Sequence, residues 1–150
     1  MRPFIAIFAA LGVMSASAVA AQEMSFFITS TNPGSGGDLG GLEGADARCA
    51  ALAEAAVSSG KTWAAYLSTS TEDARDRIGA GPWVNANGVE IATDVANLHS
   101  DANNLTKETA VDETGAVISG RGDTPNRHDV LTGSLADGTR AEQTCEDWTS

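Results

Sequence analysis

The protein is a chain of 150 residues with 9 Lys and Arg against 20 Asp and Glu, which gives a formal net charge of −11. This length suits one domain, and the acidic balance argues against nucleic acid or an anionic membrane as a partner, because both attract clustered Lys and Arg. Hydrophobic residues make up 42% of the chain, but 26 positions are alanine, which buries little area, so the sequence predicts a thin core.

Residues 1–21 have the pattern of a secretory signal peptide. Arg2 supplies a positive start, an apolar stretch over residues 4–14 follows, and small residues around Ala20 offer a cleavage site. An uncleaved membrane anchor is the alternative, but the apolar run is short for a span and serines interrupt it. We therefore expect a periplasmic or secreted product, residues 22–150, that has no membrane contact after cleavage.

The first half of the mature chain alternates strand-like and helical patterns. Residues 25–30 are an apolar run of β-formers before a turn-rich stretch, which predicts a strand followed by a loop. Small apolar residues recur at helical spacing from Ala45 to Ala56 through Cys49, which predicts a helix ending near residues 58–60. We expect its alanine face to pack against a sheet. The aromatic-rich run over residues 62–68 predicts a second strand.

The second half combines short elements with long loops. Ser70 or Thr71 can cap a short helix over residues 72–78, and residues 93–98 predict another. Residues 83–91 read as a hairpin, because an Asn-Gly pair at its centre tolerates positive φ at both turn positions. From residue 100 to residue 139 the chain is polar and rich in glycine, as functional loops often are. The whole pattern is that of an α+β domain.

Metal ligands occur in the loops but not at metal-binding spacings. His99 and His128 are the only imidazoles, and no His-x-x-x-His or Cys-x-x-Cys pair is present, so we interpret them as loop histidines rather than zinc ligands. Oxygen ligands suited to Ca²⁺ are plentiful, but no calcium-loop motif collects them, so Ca²⁺ stays an open alternative on composition alone. These oxygen ligands are Asp101, Asn103, Asn104, Asp112, Glu113, Asp123, Asn126, Asp129 and Asp137.

No set of residues predicts a catalytic centre. The chain has no Gly-x-Ser-x-Gly elbow and no cysteine beside a histidine, and adjacent carboxylates are typical of a solvated acidic face. We therefore expect that the protein is not an enzyme. A fold that brings His99 or His128 within hydrogen-bond reach of a hydroxyl or carboxylate in a cleft would count against this expectation.

Several blocks of sequence together point to a family. They include Asp-Leu-Gly-Gly-Leu-Glu-Gly-Ala-Asp-Ala-Arg-Cys at 38–49, Thr-Trp-Ala-Ala-Tyr-Leu-Ser at 62–68, Gly-Asp-Thr-Pro-Asn-Arg-His-Asp at 122–129 and Thr-Cys-Glu-Asp-Trp-Thr-Ser at 144–150. With shorter matches between them, these blocks resemble a bacterial family of exported lectin-like proteins that is similar to the endostatin domain of collagens. The resemblance implies a C-type-lectin-like fold over residues 22–150.

The resemblance also implies that the domain is truncated at its C-terminus. Members of the family continue past the last block into further tryptophan-containing strands and two more cysteines, with the first cysteine paired to the fourth and the second to the third. Cys49 and Cys145 correspond to the first and the second. We therefore expect both to be unpaired or atypically paired.

The expected function follows from the resemblance and the long loops. Thr124-Pro125-Asn126 is similar to the Glu-Pro-Asn triplet of calcium-dependent C-type lectins, but threonine replaces the glutamate, so that calcium-dependent mechanism is not implied. We expect a non-catalytic module that binds a glycan or an extracellular protein through residues 100–129, with Asp123, Asn126 and Asp129 as candidate ligand-binding residues. The alternatives are a structural or protein-interaction module without sugar binding, or a non-functional truncated fragment.

Overall fold

The structure is a computed structural model that describes residues 23–33, 35–57 and 60–150. Within these residues the chain is a mixed α+β protein, as predicted, with short helices and one two-stranded sheet. The elements are α1 (Gly41–Val57), α2 (Ala74–Arg77), β1 (Trp83–Val84), β2 (Glu90–Ala92), α3 (Val95–Leu98) and α4 (Cys145–Trp148). The predicted signal peptide lies outside the described residues. Among the helices that are described, none has the length and apolar character needed to cross a bilayer.

Helix α1 confirms the helix predicted from small residues at helical spacing. Ala45 and Ala53 on its predicted stripe are buried, whereas Ala56 is exposed, so the buried stripe is shorter than expected. Ala45 packs in one cluster with Leu67 and Trp148. These neighbours belong to a loop and to α4, so the expectation that this face packs against a sheet is wrong.

The apolar run over residues 25–30 lies beside the sheet without becoming a strand of it, which corrects the prediction. The backbone N–H groups of Ser25 and Phe26 both donate to the carbonyl of Val84 in β1. The N–H of Ile28 donates to the carbonyl of Val111 instead. A strand needs a repeating ladder with one neighbour, and these bonds go to two separate places.

The run over residues 62–68 also forms no strand, contrary to the prediction. The N–H of Ala65 donates to the carboxylate of Asp46 at 2.7 Å, and the N–H of Ser68 donates to the carbonyl of Thr132 at 2.9 Å. Aromatic and β-branched residues favour a pleated surface only where a neighbouring strand supplies the pairing. Here a helix side chain and a loop carbonyl satisfy these donors.

The hairpin is confirmed, because β1 and β2 pair antiparallel around residues 85–88. Gly88 has a φ of +76°, and its N–H donates to the carbonyl of Asn85 at 3.0 Å. Positive φ occurs at Gly88 but not at Asn87, so the turn uses at only one position the tolerance that the Asn-Gly pair offers. The buried amide of Asn85 holds the turn by accepting the N–H groups of Asn87 and Val89, each at 3.0 Å.

Two of the short helices match predicted ones, with different starting points. Helix α2 begins at Ala74 after Asp73, so the predicted cap at Ser70 or Thr71 is wrong. The N–H of Ser70 donates instead to the Asp147 carboxylate at 2.6 Å. Helix α3 falls within the predicted range of 93–98, and the carboxylate of its cap, Asp94, accepts a backbone N–H at 2.8 Å.

The last helical turn, α4, was not predicted, and its backbone has an unusual conformation. All four residues from Cys145 to Trp148 have φ between +50° and +69°, the left-handed region that L-residues rarely adopt. The turn is held at its end, where the indole N–H of Trp148 donates to the carbonyl of Ser68 at 2.8 Å and the N–H of Leu39 donates to the carbonyl of Trp148 at 2.9 Å. Trp148 is 1% exposed and packs in the core cluster with Ala45 and Leu67.

The core is thin, as the composition predicts. Twelve hydrophobic residues are buried among the described residues, and five of them are alanine. Between α3 and α4 the described chain forms loops with two isolated bridges, Val111 to Val117 and Ser134 to Arg140. Little apolar area therefore stabilises this long region, and its polar side chains bond to nearby backbone instead.

Candidate functional site

The described structure contains an open groove of about 1520 Å³. Its walls are residues 25–33, 62–67 and 129–132 together with one face of α1. Five of the six large hydrophobic side chains that are exposed in the described chain line this groove. The five are Leu105, Val117, Val130, Leu131 and Leu135. Apolar surface gathered in a concave site is typical of a binding site.

Aromatic rings form one part of the groove wall. The rings of Phe27 and Trp63 meet edge to face, with centroids 5.0 Å apart. The ring of Tyr66 stacks on the imidazole of His99 at 5.9 Å. Ring faces of this kind pack well against the C–H surfaces of a sugar or against another apolar group.

Tyr66 and His99 are also joined by a hydrogen bond inside the groove. The Tyr66 oxygen lies 2.7 Å from Nε2 of His99, and Nδ1 of His99 lies 2.7 Å from the carbonyl of Val95. Because a carbonyl only accepts, Nδ1 of the neutral imidazole carries the hydrogen and Nε2 accepts the hydroxyl of Tyr66. A histidine therefore reaches a hydroxyl in a cleft, the arrangement that would count against a non-catalytic protein.

The Tyr66 and His99 pair lacks two features of an activated nucleophile. Burial raises the pKa of the Tyr66 hydroxyl, so the hydroxyl keeps its proton at neutral pH. Among the described residues, no carboxylate bonds to His99 to orient it and stabilise its charged form. The geometry fits a hydrogen bond that holds the groove wall in place.

Asp123, the first candidate ligand-binding residue, holds its own loop. Its carboxylate accepts the N–H of Gly120 at 2.8 Å and lies 2.9 Å from Nζ of Lys107. The Gly120 N–H and the Lys107 ammonium both stabilise the charged carboxylate, so they lower its pKa. Asp123 does not line the groove, and its oxygens already have partners.

The other two candidates lie on the same exposed stretch. Asn126 accepts the N–H of His128 at 3.3 Å and does not line the groove. Asp129 lines the groove, its side chain is 97% exposed, and its carboxylate lies 2.8 Å from Nδ1 of His128. The described hydrogen bonds do not join Asp123, Asn126 and Asp129 to one another, so only Asp129 is placed at the groove.

Several of the carboxylates considered as Ca²⁺ ligands already accept hydrogen bonds from groups of the protein. Within the described residues, no group of three or more His, Cys, Asp or Glu side chains is arranged to hold a metal. Burial raises the pKa of Asp112, but hydrogen bonds from the hydroxyl and N–H of Thr114 and from the N–H of Ala116 outweigh it, and the pKa is lowered. Buried Glu113 accepts both the N–H and the hydroxyl of Ser30.

Both cysteines are free thiols beside the core. Cys49 and Cys145 each pack against the cluster that contains Ala45 and Trp148. Burial, together with the nearby charge of Asp46, raises the pKa of the Cys49 thiol from 9.0 to about 11. A protonated, half-buried thiol is a weak nucleophile, so Cys49 has a packing role in this structure.

Sequence reasoning missed the two ring pairs of the groove wall. Phe27 and Trp63 are 36 positions apart, and Tyr66 and His99 are 33 positions apart. The sequence marks each ring as an aromatic residue but has no signal for which rings meet, since neither pair falls at a helix or hairpin spacing.

Comparison with protein-family models, with curated proteins and with solved structures finds no match for this chain. The resemblance to exported endostatin-like proteins therefore stays a prediction from the sequence blocks. The structure supports the mixed α+β class, which is a broader statement than a lectin-like fold.

Proposed function

We propose that this protein is an exported, non-catalytic, lectin-like binding module that takes a glycan or another extracellular ligand in the groove. The observation that carries the proposal is the groove of about 1520 Å³, with its aromatic wall and its polar rim. Phe27, Trp63 and Tyr66 offer apolar faces, and Arg127 and Asp129 offer polar groups in the same lining. Sugars present C–H faces and hydroxyls together, which suits such a mixed surface.

The rim residues are the best placed to give specificity. Asp129 is almost fully exposed, and the guanidinium of Arg127 makes no hydrogen bond or ion pair with other described residues. The Arg127 guanidinium can donate to a sugar hydroxyl without first losing an internal partner, and the exposed Asp129 carboxylate has acceptor sites enough to accept from one while it stays paired with His128. Asp123 contributes indirectly, because its bonds to Gly120 and Lys107 hold the loop that carries Arg127 and Asp129.

The non-catalytic part of the proposal is supported by the state of Tyr66 and His99. The hydroxyl of Tyr66 is protonated and bonded, and the second imidazole nitrogen of His99 faces a carbonyl. A general base needs an open acceptor toward the substrate. In this arrangement the acceptor of His99 is Nε2, and its hydrogen bond with the Tyr66 hydroxyl already occupies it.

The proposal is tested with a glycan array, followed by titration of any glycan that binds, with tryptophan fluorescence as the signal. We expect saturable binding, and an Asp129→Asn variant should bind about five- to tenfold more weakly, since a hydrogen bond to a charged group is lost. Asp101→Asn is the matched control, because Asp101 is exposed but outside the groove. A blank array, or equal effects of the two variants, would contradict glycan binding in the groove.

A protein-interaction module is the second candidate, and the exposed apolar residues of the groove favour it. Leu131 is 61% exposed and Leu135 is 56% exposed, and surface of this kind is often covered by a partner. If a defined protein ligand binds, the Leu131→Asp variant loses that binding, and glycan arrays stay blank, this candidate replaces the first. A chain without a cooperative thermal transition would instead indicate a non-functional fragment.

A further inference from the structure

A second open pocket, of about 470 Å³, lies beside the groove and differs from it in character. We call it the basic pocket. Its aliphatic part consists of the side chains of Ile28, Leu105, Ile118 and Val130. Its polar part contains the basic side chains Lys107, Arg121 and His128, and none of its lining residues in the described structure is an Asp or Glu. The chain has a net charge of −11, so a pocket with basic side chains and no acidic ones differs from the acidic character of the whole sequence.

Among the basic residues that line this pocket, Arg121 is the one whose side chain has no partner within the described part of the chain. Six arginines lie in the described residues, and four bind oxygen atoms of the protein. Those four are Arg48, Arg75, Arg77 and Arg140. Arg121 and Arg127 make no side-chain hydrogen bond or ion pair with other described residues. Of these two, only Arg121 lines the basic pocket.

The backbone around Arg121 is held in place by other groups. Nζ of Lys107 donates to the carbonyl of Arg121 at 3.2 Å and to the carboxylate of Asp123 at 3.0 Å. The same carboxylate accepts the N–H of Gly120 at 2.8 Å. These bonds neutralise the charge of Lys107 and fix the turn, so the Arg121 guanidinium is the group left to meet a ligand.

The other two basic residues of the pocket, Lys107 and His128, lie beside Gly120 in the same turn. A Cβ placed on Gly120 would lie 3.9 Å from both the Cβ of His128 and the Cε of Lys107, so the two side chains flank this buried glycine. His128 is paired with Asp129, with Nδ1 and the carboxylate 2.8 Å apart. Lys107 is paired with Asp123 and His128 with Asp129, so Arg121 is the positive charge of this pocket that has no carboxylate partner among the described residues.

We propose that the basic pocket binds a small carboxylate whose body is aliphatic. The guanidinium of Arg121 takes the carboxylate, for which its planar fork of donors is well matched, and the aliphatic side chains cover the hydrocarbon body. The pocket volume falls within the roughly 300–1,000 Å³ range of small-molecule sites. This proposal goes beyond the proposed function, because neither Arg121 nor the basic part of this pocket belongs to the groove.

The test is calorimetric titration of the purified protein with octanoate. Two further probes separate the parts of the ligand: octanamide keeps the body without the charge, and acetate keeps the charge without the body. We expect octanoate to bind more tightly than either. The Arg121→Gln variant should lose about tenfold in octanoate affinity, the size expected for a charge-assisted hydrogen bond, and should no longer prefer octanoate over octanamide.

Arg127→Gln is the matched control, because it makes the same charge change on the same loop at a residue outside the basic pocket. We expect its octanoate affinity to stay within about twofold of the parent protein, as for a surface change without direct contact. Equal losses in the two variants, equal affinity for octanoate and octanamide, or no saturable binding would each overturn the proposal. Thermal melts check that both variants are folded.

Amide chemical-shift mapping with octanoate locates the ligand. We expect the largest shifts at Gly120, Lys107 and Val130, and shifts centred on Trp63 and Tyr66 would place octanoate in the groove and overturn the proposal. Failure of octanoate binding leaves the glycan titration of the groove unaffected. The two proposals can therefore fail separately.

Discussion

The carboxylate of Asp46 on α1 lies 2.8 Å from the guanidinium of Arg77 on α2, and the Arg77 side chain is only 10% exposed. The same carboxylate accepts the backbone N–H of Ala65 at 2.7 Å. One charge pair thus joins two helices and the loop between them. In a protein with a thin core, this polar junction positions α1 along the groove.

Replacing Asp46 by Asn should strongly destabilise the fold. The change leaves the buried Arg77 guanidinium without its closest carboxylate, and Glu72, at 3.7 Å, is a poor substitute. Breaking a buried pair from one side costs about 3 kcal/mol, so we expect a loss of that order in urea unfolding. Asp76→Asn, at an exposed position on α2, should change the free energy of unfolding by less than about 0.5 kcal/mol. Similar losses in both variants would show that Asp46 has no special role.

The raised pKa of Cys49 predicts a loss of stability in alkali. The folded-state pKa, about 11, lies above the ordinary value of 9.0, so the thiol contributes stability that is complete below pH 9 and is lost as the pH rises toward 11. Unfolding free energies measured from pH 8 to pH 11 should fall less steeply in Cys49→Ala than in the parent. Cys145→Ala is the control and should keep the steeper fall, and both variants retain the contribution of Tyr66. Parallel curves for Cys49→Ala and the parent would refute the prediction.

The left-handed turn of α4 predicts that a glycine stabilises the protein at Glu146. Glu146 is exposed and has a φ of +50°, a conformation that costs an L-residue roughly 1–2 kcal/mol and costs glycine little. Glycine also loses more chain entropy on folding, so the net gain in Glu146→Gly should be up to about 1 kcal/mol. The same change at Asp76, in right-handed α2, should cost about 1 kcal/mol. Thermal and urea unfolding of the two variants should therefore shift in opposite directions.

The lowered pKa of Asp147 predicts that this carboxylate causes part of the loss of stability in acid. The hydroxyl and the N–H of Ser70 bond to its carboxylate at 2.7 and 2.6 Å, and these bonds lower its pKa. Because the folded pKa is depressed, the contribution is present above the unfolded pKa, about 4, and is lost as the pH falls through the folded value. Asp147→Asn should make the unfolding free energy less dependent on pH between about pH 5 and pH 2. Ser70→Ala should reduce the same dependence, and an unchanged slope in both variants would exclude this interaction as a cause.

The elements with local signals were predictable. Helix α1 follows from small residues repeated every three or four positions, and the hairpin follows from an Asn-Gly pair between apolar residues. Both depend on contacts within a few positions of the chain, so a short window of sequence contains the cause. The predicted strands at residues 25–30 and 62–68 failed because a strand exists only with a partner, and no short window identifies that partner.

By itself, the sequence determined the local and compositional properties of this protein: the acidic charge, the small-residue helix, the hairpin, the loop-rich second half and the thin core. Only the tertiary structure decided which distant groups meet, such as Asp46 with Arg77 and Tyr66 with His99, and which arginine is left without a partner in the basic pocket. The physical reason is that burial and long-range hydrogen bonding depend on how loops close on one another. Loop closure brings together residues whose separation along the chain has no fixed period, so no short window of sequence identifies these pairs.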